Sequence, residues 1–219
     1  MIFCIIGKTG AGKSTIAKEV SRALDIPIIV SYTSRPKRSN EKNGIDYNYV
    51  NNEYFELYYK DFIDLREYTV ATGEVWRYGI RKNQIQKRKD YIAVVDVQGF
   101  NNLSKHFETK AILIDSHDTV IFQRLAKRGD SKAEIMRRLE DDKRRLTEFM
   151  DVLPIENRII VYNNDTIASA IDDCVASIIM TKINLSYKKT KMHSFIAIFI
   201  GVLVLLCYIC ELFILLSGK

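Results

Sequence analysis

Residues 1–15 read MIFCIIGKTGAGKST, and this stretch decides the fold of the chain. It opens with an apolar run of strand length, residues 1–6, that leads directly into a glycine-rich turn. Residues 16–24 then repeat apolar side chains at helical spacing, so the order is strand, glycine loop, helix. Within that order, residues 7–14 satisfy the pattern Gly-x4-Gly-Lys-Ser of a phosphate-binding loop. The stretch therefore predicts a nucleotide-binding α/β protein.

The loop predicts which part of a nucleotide is bound. Backbone N–H groups of such a loop turn inward around phosphate oxygens, and the N-terminus of the following helix adds partial positive charge. Lys13 is expected to bridge the β- and γ-phosphates, and Ser14 to hold Mg²⁺. We therefore expect ATP with Mg²⁺ as cofactor, bound by Gly7, Lys8, Thr9, Gly10, Ala11, Gly12, Lys13, Ser14 and Thr15.

The rest of the chain extends the α/β pattern. Further runs of strand character alternate with helical patterns at residues 26–30, 91–97, 111–115 and 158–162. Such alternation is typical of a mainly parallel sheet with helices on both faces. Between residues 33 and 88 short aromatic-rich pieces replace the apolar runs, which indicates an inserted lobe. Residues 128–150 are densely charged with a helical pattern, beginning at an N-cap, Ser131; they predict either a solvated helix or a mobile basic lid.

Composition limits the class of protein and the class of partner. A chain of 219 residues with 47% hydrophobic content can fill the core of one ordinary domain. Lys and Arg total 33 against 27 for Asp and Glu, and the surplus of +6 favours nucleotides, nucleic acid or a membrane surface as partners. The four cysteines are scattered, which argues against a disulfide framework.

The C-terminal part predicts a membrane anchor. Residues 195–216 are apolar except for Glu211, and as a helix they would span about 33 Å, against a hydrocarbon core of about 30 Å. The alternative is a buried core helix. Lysines precede this stretch within a basic linker at 184–194, so the positive-inside rule places the preceding domain, residues 1–183, in the cytoplasm.

A second anion site is predicted by residues 31–49, SYTSRPKRSNEKNGIDYNY. The planar guanidinium groups of Arg35 and Arg38 can bind phosphate oxygens in pairs, and hydroxyls of Ser31, Tyr47 and Tyr78 can assist them. Such a set suits the dianion of a monophosphate. Composition alone leaves a solvated basic loop as the alternative.

Taken together, these motifs resemble the guanylate kinase family over about residues 1–180. The motifs are GKTGAGKST, SYTSRPKRSNEKNGIDYNYV, RYG, VVDVQG, and RG followed by RRL. The gap-free matches in the acceptor segment are Ser31, Arg35, Arg38, Glu41, Gly44, Asp46 and Tyr47. The resemblance implies Mg²⁺-dependent phosphorylation of GMP or dGMP by ATP, with residues 33–88 as the NMP-binding lobe and 128–150 as the lid.

The resemblance also implies roles for single residues. Those implied to bind the GMP phosphate are Ser31, Arg35, Arg38, Tyr47 and Tyr78. Glu67 would accept hydrogen bonds from guanine N1 and N2, and Asp96 would lie at the base of the site. Arg128 and Arg138 match the lid arginines, which act in catalysis with Lys13 and Arg35. Asn163 matches a residue on the adenine side.

The chain departs from the family pattern at three places. Ile80 follows Tyr78-Gly79, where the family usually has a hydroxyl residue that touches guanine. About two extra residues between Gly73 and Tyr78 leave Glu74 as the alternative to Glu67. After Arg138 the family favours small residues, whereas this chain has LEDDKRR at 139–145, which could give Arg144 or Arg145 a catalytic share.

Three other functions fit parts of the sequence. A kinase for another nucleoside monophosphate would share the reaction and differ in the base pocket around Ile80. A non-catalytic, membrane-tethered module could use Arg35 and Arg38 for phosphopeptides, although such modules generally have degraded phosphate loops. A nucleic-acid binder would need a reading motif, and none is recognisable. The expected partners are therefore ATP, GMP or dGMP and a membrane; no nucleic acid is expected, and no specific protein partner can be inferred.

Overall fold

A computed structural model describes residues 1–70 and 73–217, with side chains described up to residue 192 and at Ile196. The chain forms two compact units, Met1–Val175 and Ala176–Lys219. The strands are β1 (Ile2–Gly7), β2 (Ile28–Ile29), β3 (Tyr32–Thr33), β4 (Asn48–Tyr49), β5 (Phe62–Thr69), β6 (Val75–Arg81), β7 (Tyr91–Val94), β8 (Thr109–Asp115) and β9 (Arg158–Tyr162). The helices are α1 (Lys13–Leu24), α2 (Asn52–Leu57), α3 (Val97–Ser104), α4 (Asp118–Lys127), α5 (Lys132–Val152) and α6 (Ile167–Ser217).

The main sheet has five parallel strands in the order β2-β7-β1-β8-β9. Each strand lies in one of the apolar runs of the sequence, so the predicted α/β class with a parallel sheet is confirmed. β1 occupies the centre, where both neighbours pair with it. The phosphate-binding loop follows β1 and therefore lies at the carboxyl edge of the sheet, where α/β proteins bind their ligands.

Side chains of β1 alternate between two buried faces. Ile2, Cys4 and Ile6 belong to a core cluster that includes Phe100 of α3 and Phe149 of α5. Phe3 and Ile5 project to the opposite face because successive strand residues alternate. On that face α1 contacts β1 and β7 through its buried Ile16 and Val20. Helices on both faces thus hold the glycine loop between a rigid strand and a rigid helix.

A second sheet has four strands in the order β4-β3-β6-β5. Apart from Tyr32, its strands lie within the residues predicted as an inserted lobe. Antiparallel pairing sets Arg66 opposite Tyr78 and Glu67 opposite Arg77. Because side chains alternate along a strand, Arg66 and Tyr78 share one face of this sheet, and Glu67 and Arg77 share the other.

The charged segment after α4 is helical, as its pattern predicts. Ser131 is the N-cap of α5, and its side chain accepts a hydrogen bond from the backbone N–H of Glu134 at 3.3 Å. Ile135, Leu139 and Phe149 are the buried positions of this helix. The opposite face carries the charges, so α5 is an amphipathic helix with its apolar stripe against the core.

The last helix, α6, runs from Ile167 to Ser217. Residues 184–194, predicted as a linker, continue this helix. The predicted membrane span, residues 195–216, falls almost entirely on positions whose side chains lie outside the described residues. Among the residues that are described, no helix combines the length and apolar character needed to cross a membrane.

Candidate active site

The phosphate-binding loop takes backbone conformations that favour glycine. Gly12 has φ +96°, and a Cβ there would lie 2.6 Å from Asn163 Nδ2. At Gly7 a Cβ would lie 2.3 Å from the carbonyl oxygen of Ile114 on β8. Both glycines are therefore required by close approach of neighbouring strands and side chains. The result is an open turn of backbone N–H groups at the start of α1.

Lys13 lies folded back over this loop. Its Nζ donates to the carbonyl oxygens of Gly7 and Lys8 at 2.7 and 2.9 Å. Burial lowers the pKa of Lys13, the carboxylates of Asp142 and Asp96 oppose that shift, and Arg128 adds to it. The ammonium group is thus partly desolvated, and its pKa responds to the charges of Asp142, Asp96 and Arg128.

A carboxylate of the lid helix α5 occupies the loop. The backbone N–H of Thr9 donates to Asp142 Oδ2 at 2.6 Å. This is the kind of contact that a phosphate oxygen makes in a phosphate-binding loop. Asp142 follows Arg138 by one helical turn within the segment LEDDKRR, and sequence reasoning did not assign it a role. In this structure the Thr9 N–H group is therefore already paired with a carboxylate of the chain itself.

We expect the Asp142→Ala variant to bind ATP more tightly. The substitution removes a competing negative charge from the loop, and alanine is a good helix former. A hydrogen bond to a charged group contributes about 1.5–3 kcal/mol, so a KM for ATP lower by roughly 10- to 100-fold is expected. Steady-state kinetics at saturating acceptor measure it. The matched control is Asp141→Ala, because Asp141 pairs with Arg144 and Arg145 at the surface. An unchanged KM for ATP in Asp142→Ala would contradict this account.

Asn163 supports the loop from below. Its side chain is fully buried, and Nδ2 donates to the carbonyl oxygen of Ala11 at 2.9 Å. Arg124 Nη2 donates to Asn163 O and Oδ1 at 3.2 and 3.4 Å. In this arrangement Asn163 positions the loop; its place on the adenine side, which the resemblance implies, stays a prediction. Arg124 was not predicted, although it stands one helical turn before Arg128 on α4.

The acceptor arginines are organised by a carboxylate. Arg35 is buried, and its Nη2 donates to both oxygens of Glu41 at 2.7 and 2.9 Å. Glu41 also accepts from the backbone N–H of Arg38 at 2.9 Å and from Tyr49 Oη at 2.6 Å. Arg38 itself is 43% exposed, and its Nη1 lies 3.6 Å from Glu41. Arg35 is therefore held by two hydrogen bonds from a buried position, while Arg38 has a longer contact with Glu41 and an exposed side chain.

Glu41 makes stability depend on pH. Burial alone would raise its pKa, but hydrogen bonds from Arg35, Tyr49 and the Arg38 backbone lower it to about 2. A carboxyl whose pKa is lower in the folded state stabilises the fold above its unfolded pKa, which is 4.5. That stabilisation, roughly 2–3 kcal/mol, is lost as the pH falls from about 5 towards 2.

The Glu41→Gln variant should therefore be less stable than the wild type at pH 7, and the difference should shrink as the pH falls below about 4. Urea unfolding followed by circular dichroism between pH 7 and pH 2.5 measures both curves. Glu53→Gln is the control because Glu53 is an exposed residue in the first turn of α2. A difference that stays constant across this range would show that Glu41 is not the titrating group.

Tyrosines extend the site away from the arginines. Arg35 Cζ lies 5.5 Å from the ring centroid of Tyr47, and the Tyr47 and Tyr78 rings lie 5.9 Å apart. Tyr78 in turn lies 5.6 Å from Tyr68, whose hydroxyl donates to Asp96. The predicted phosphate residues Arg35, Tyr47 and Tyr78 are thus brought together, and a continuous series of contacts leads from them to Asp96.

Glu67 does not lie in this series. Its carboxylate pairs with Arg77 Nε at 2.7 Å on the opposite face of the lobe sheet and is half exposed. This placement does not suit the guanine-binding role predicted for Glu67. The carboxylate of β5 on the face of Tyr78 is Asp64, which is fully buried and accepts from Asn102 Nδ2 at 3.1 Å. Burial raises the pKa of Asp64.

Asp96 connects the lobe to the main sheet. It is the N-cap of α3, where Oδ1 accepts from the backbone N–H of Gly99 at 2.9 Å. The same oxygen accepts from Arg66 Nη1, also at 2.9 Å. Asp96 therefore has a structural role in addition to its predicted place at the base of the site. Arg66 is the second unpredicted residue on the Tyr78 face.

The lid arginines meet at one carboxylate. Arg128, at the end of α4, donates through Nε and Nη2 to Asp130, and Arg138 Nη1 lies 3.6 Å from the same group. Arg138 Nε also donates to Glu134 at 2.6 Å. Burial lowers the pKa of Arg38, and the charges of Arg35 and Arg128 lower it further. The hydrogen bond from Arg128 and the charges of Arg128, Arg138 and Arg38 lower the pKa of Asp130, so this carboxylate is the anion that these arginines share.

Comparison with known proteins identifies the family. The sequence model described as guanylate kinase matches residues 2–178. The guanylate kinase of Thermotoga maritima is 30% identical over 202 residues, covering 89% of this chain and 93% of that protein. The guanylate kinase of Fusobacterium nucleatum is 30% identical over 176 residues, covering 76% of this chain and 94% of that protein. The crystal structure of guanylate kinase from Anaplasma phagocytophilum shares the fold, with a TM-score of 0.57, 20% identity and coverage of 83% and 85% of the two chains. The chain belongs to the guanylate kinase family.

Proposed function

We propose that this protein transfers the γ-phosphoryl group of ATP to GMP or dGMP, forming ADP and the guanosine diphosphate. The observation that carries the proposal is the meeting of two anion sites in one unit. The glycine loop follows β1, which pairs with β7, and Asp96 lies just beyond β7, where it accepts hydrogen bonds from Arg66 and Tyr68 of the inserted lobe. Family membership supports the choice of guanine nucleotides.

In the proposed donor site the loop N–H groups and Lys13 hold the β- and γ-phosphates of ATP. Ser14 is exposed in the first turn of α1, and a hydroxyl oxygen is a hard ligand of the kind that Mg²⁺ accepts beside phosphate oxygens and water. Bound Mg²⁺ would neutralise charge on the phosphates. Within the described residues no cluster of three or more His, Cys, Asp or Glu could hold a metal ion.

In the proposed acceptor site Arg35, Arg38, Tyr47 and Tyr78 hold the phosphate of GMP, and the buried Ser31 is the fifth residue of the predicted set. The guanine side is formed by Asp64 and Asp96, and Asp64 takes the role that the resemblance assigned to Glu67. A carboxylate suits guanine because its oxygens accept from both N1–H and N2–H. Adenine offers no such pair of donors.

The transfer itself needs little acid–base chemistry. The attacking atom is already an anionic phosphate oxygen; it forms a bond to the γ-phosphorus while the bond to the β–γ bridging oxygen breaks. Alignment and charge stabilisation are therefore the main tasks of the protein. Lys13, Arg35, Arg128 and Arg138 supply positive charge, and the lid must release Asp142 from the loop before ATP can bind.

A panel of acceptors tests the proposal. ADP formation is measured for the full chain with ATP, Mg²⁺ and each of GMP, dGMP, AMP, CMP and dTMP. We expect kcat/KM for GMP and dGMP to exceed the other values by at least about 100-fold, since a site built to hydrogen-bond a base rejects bases that lack the matching groups. A preference for AMP, CMP or dTMP would assign another monophosphate kinase. Failure to phosphorylate any acceptor would favour the non-catalytic phosphopeptide module.

We also propose that residues 195–216 anchor the chain in a membrane, with the kinase unit in the cytoplasm. The sequence pattern and the basic residues before it support this. The full chain should sediment with membranes after an alkaline carbonate wash. A variant with Leu203→Lys and Leu206→Lys should be released, because each lysine near the centre of a span costs about 2.5–3.5 kcal/mol. Recovery of the wild type in the supernatant would contradict the anchor.

A further inference from the structure

Arg66 is a buried guanidinium on the Tyr78 face of β5, and the mechanism above gives it no task. Only 6% of its side chain is exposed. Its Nη2 lies 2.9 Å from Asp64 Oδ2, and its Nη1 lies 2.9 Å from Asp96 Oδ1. One positive charge thus faces two negative charges at the base of the cleft. A buried set with a residual negative charge is favoured only where further donors satisfy it.

The set also leaves hydrogen-bonding atoms unused. Among the described residues, Arg66 Nε has no acceptor, and Asp64 Oδ2 receives no well-aligned hydrogen bond despite its ion pair with Arg66. Proteins leave few buried polar atoms unsatisfied, and each exception requires a reason. The unsatisfied atom of the set is therefore a donor, Arg66 Nε, because Asp64 Oδ2 already lies 2.9 Å from Arg66 Nη2, and a free donor beside this pair suits an acceptor atom of a ligand.

The position of Arg66 indicates which part of a nucleotide would complete it. The contacts that start at Arg35 pass through Tyr47, Tyr78 and Tyr68 and end at the Arg66 set. The phosphate is assigned to the arginine end of this series, so the base falls at the Arg66 end. The α3 backbone also comes close here, since a Cβ on Gly99 would lie 3.1 Å from Arg66 Cζ.

The chemistry of the set matches one edge of guanine. That edge offers an acceptor, the 6-oxo group, beside the N1–H and N2–H donors, and guanidinium groups bind the guanine 6-oxo oxygen well. We propose that Arg66 donates to the 6-oxo group of the acceptor purine, beside Asp64, and is a specificity-determining residue of the acceptor site. This inference rests on the proposed function. An adenine would place an amino donor against the guanidinium, which repels it.

Nearby side chains on the two lobe strands do not supply this donor. The side chain of Ile80 is fully buried and apolar. Glu67 and Arg77 face away from the cleft. On the Tyr78 face of β5, Arg66 is the cationic side chain, between Asp64 and Tyr68 in the sequence.

The test compares GMP with 2-aminopurine ribonucleoside 5′-monophosphate, which keeps the 2-amino group but lacks both the 6-oxo group and the N1–H donor. The measured quantity is the ratio of kcat/KM values for the two acceptors in the full chain. We expect the wild type to prefer GMP by at least about 100-fold, because the analogue leaves the Arg66 donor unpaired and offers no N1–H to Asp64. The loss of N1–H is common to the wild type and Arg66→Met, so a ratio at least about tenfold lower in Arg66→Met, caused by a lower value for GMP with the KM for ATP unchanged, reports the contact with the 6-oxo group.

Two further variants control the result. Arg77 lies on β6 opposite Glu67, on the face of the lobe sheet that points away from Tyr78. Arg77→Met therefore removes a nearby guanidinium from the other face and should leave the ratio at the wild-type value. Arg66→Lys keeps the charge beside Asp64 and Asp96 but has a single ammonium group, so it should give an intermediate ratio. Because Arg66→Met leaves two carboxylates without their partner, Arg66→Lys, which keeps a positive charge beside them, carries the measurement if Arg66→Met does not fold.

The outcomes separate this inference from the proposed function. A wild type that phosphorylates GMP, with a folded Arg66 variant that keeps the full preference over the 2-aminopurine nucleotide, overturns the role of Arg66 alone. A wild type that does not phosphorylate GMP overturns both. A ratio that falls in Arg66→Met, is intermediate in Arg66→Lys and is unchanged in Arg77→Met supports the inference.

Discussion

Replacing Lys13 with alanine is expected to lower kcat by at least about 100-fold, equivalent to roughly 3 kcal/mol of transition-state stabilisation. Lys13 is the cationic side chain that folds over the glycine loop, and burial lowers its pKa, so its charge acts in a poorly solvated place. Charge interactions are strongest in such surroundings. The fold should survive, since alanine suits the first turn of a helix and removes a buried charge.

The measurement is the rate of ADP formation at saturating ATP and GMP, with thermal unfolding as the test of integrity. Arg22→Ala is the matched control: Arg22 lies on the same helix, is 73% exposed and pairs only with Glu19 among the ion pairs of the described residues. Its kcat should stay within about twofold of the wild type, as expected for a surface site. A Lys13→Ala variant with turnover within threefold of the wild type would refute the assigned role.

Replacing Arg38 with alanine should raise the KM for GMP by about 10- to 100-fold and leave the KM for ATP within twofold. A charge-assisted hydrogen bond to phosphate contributes about 1.5–3 kcal/mol, which corresponds to this range. Arg38 suits the experiment because its distance of 3.6 Å from Glu41 makes it a weak member of the acceptor network. Removing it leaves the pair between Arg35 and Glu41 intact.

Lys37→Ala is the control for Arg38. Lys37 is the adjacent exposed cation, and its Nζ contacts only the backbone oxygen of Glu41, at 3.1 Å, among the described residues. Lys37→Ala tests whether the loss of any positive charge in this segment is sufficient to raise the KM for GMP. Equal increases in KM for GMP in the two variants would indicate non-specific steering, whereas a selective effect of Arg38 indicates a bound phosphate.

Much of the fold follows from local patterns in the sequence. The apolar runs became the five strands of the parallel sheet because a strand buried on both faces must be apolar throughout. Ser131 was predicted as an N-cap because a side-chain oxygen satisfies the free N–H groups of a helix start. These signals are short-range, so one sequence is sufficient to find them.

The guanine side was harder to predict because it depends on strand register. Asp64, Arg66 and Tyr68 alternate with Glu67 along β5, and a shift of one residue exchanges the two faces. Alternation in residues 62–69 could have separated Glu67 from Tyr68, but only the pairing with β6 shows which face meets Tyr78. The resemblance to the family assigns the guanine-binding role to Glu67, a glutamate of the same strand whose side chain lies on the other face.

The contact of Asp142 with the loop could not be predicted either. It joins Thr9 to a residue on a helix far along the chain, and no local pattern encodes such a distance. The charged segment LEDDKRR indicated only that the lid helix is unusual. The contact becomes visible only in the folded chain, where α5 brings Asp142, one turn after Arg138, to the backbone N–H of Thr9.

The central claim is that two anion sites face each other across one cleft, and a single ligand that spans both sites tests it most directly. Adenosine and guanosine joined through five phosphates should bind with 1:1 stoichiometry in calorimetry. It should bind at least about 100-fold more tightly than ATP or GMP alone, because the second contact becomes intramolecular. Binding no tighter than that of ATP, or two ligands per chain, would contradict the account.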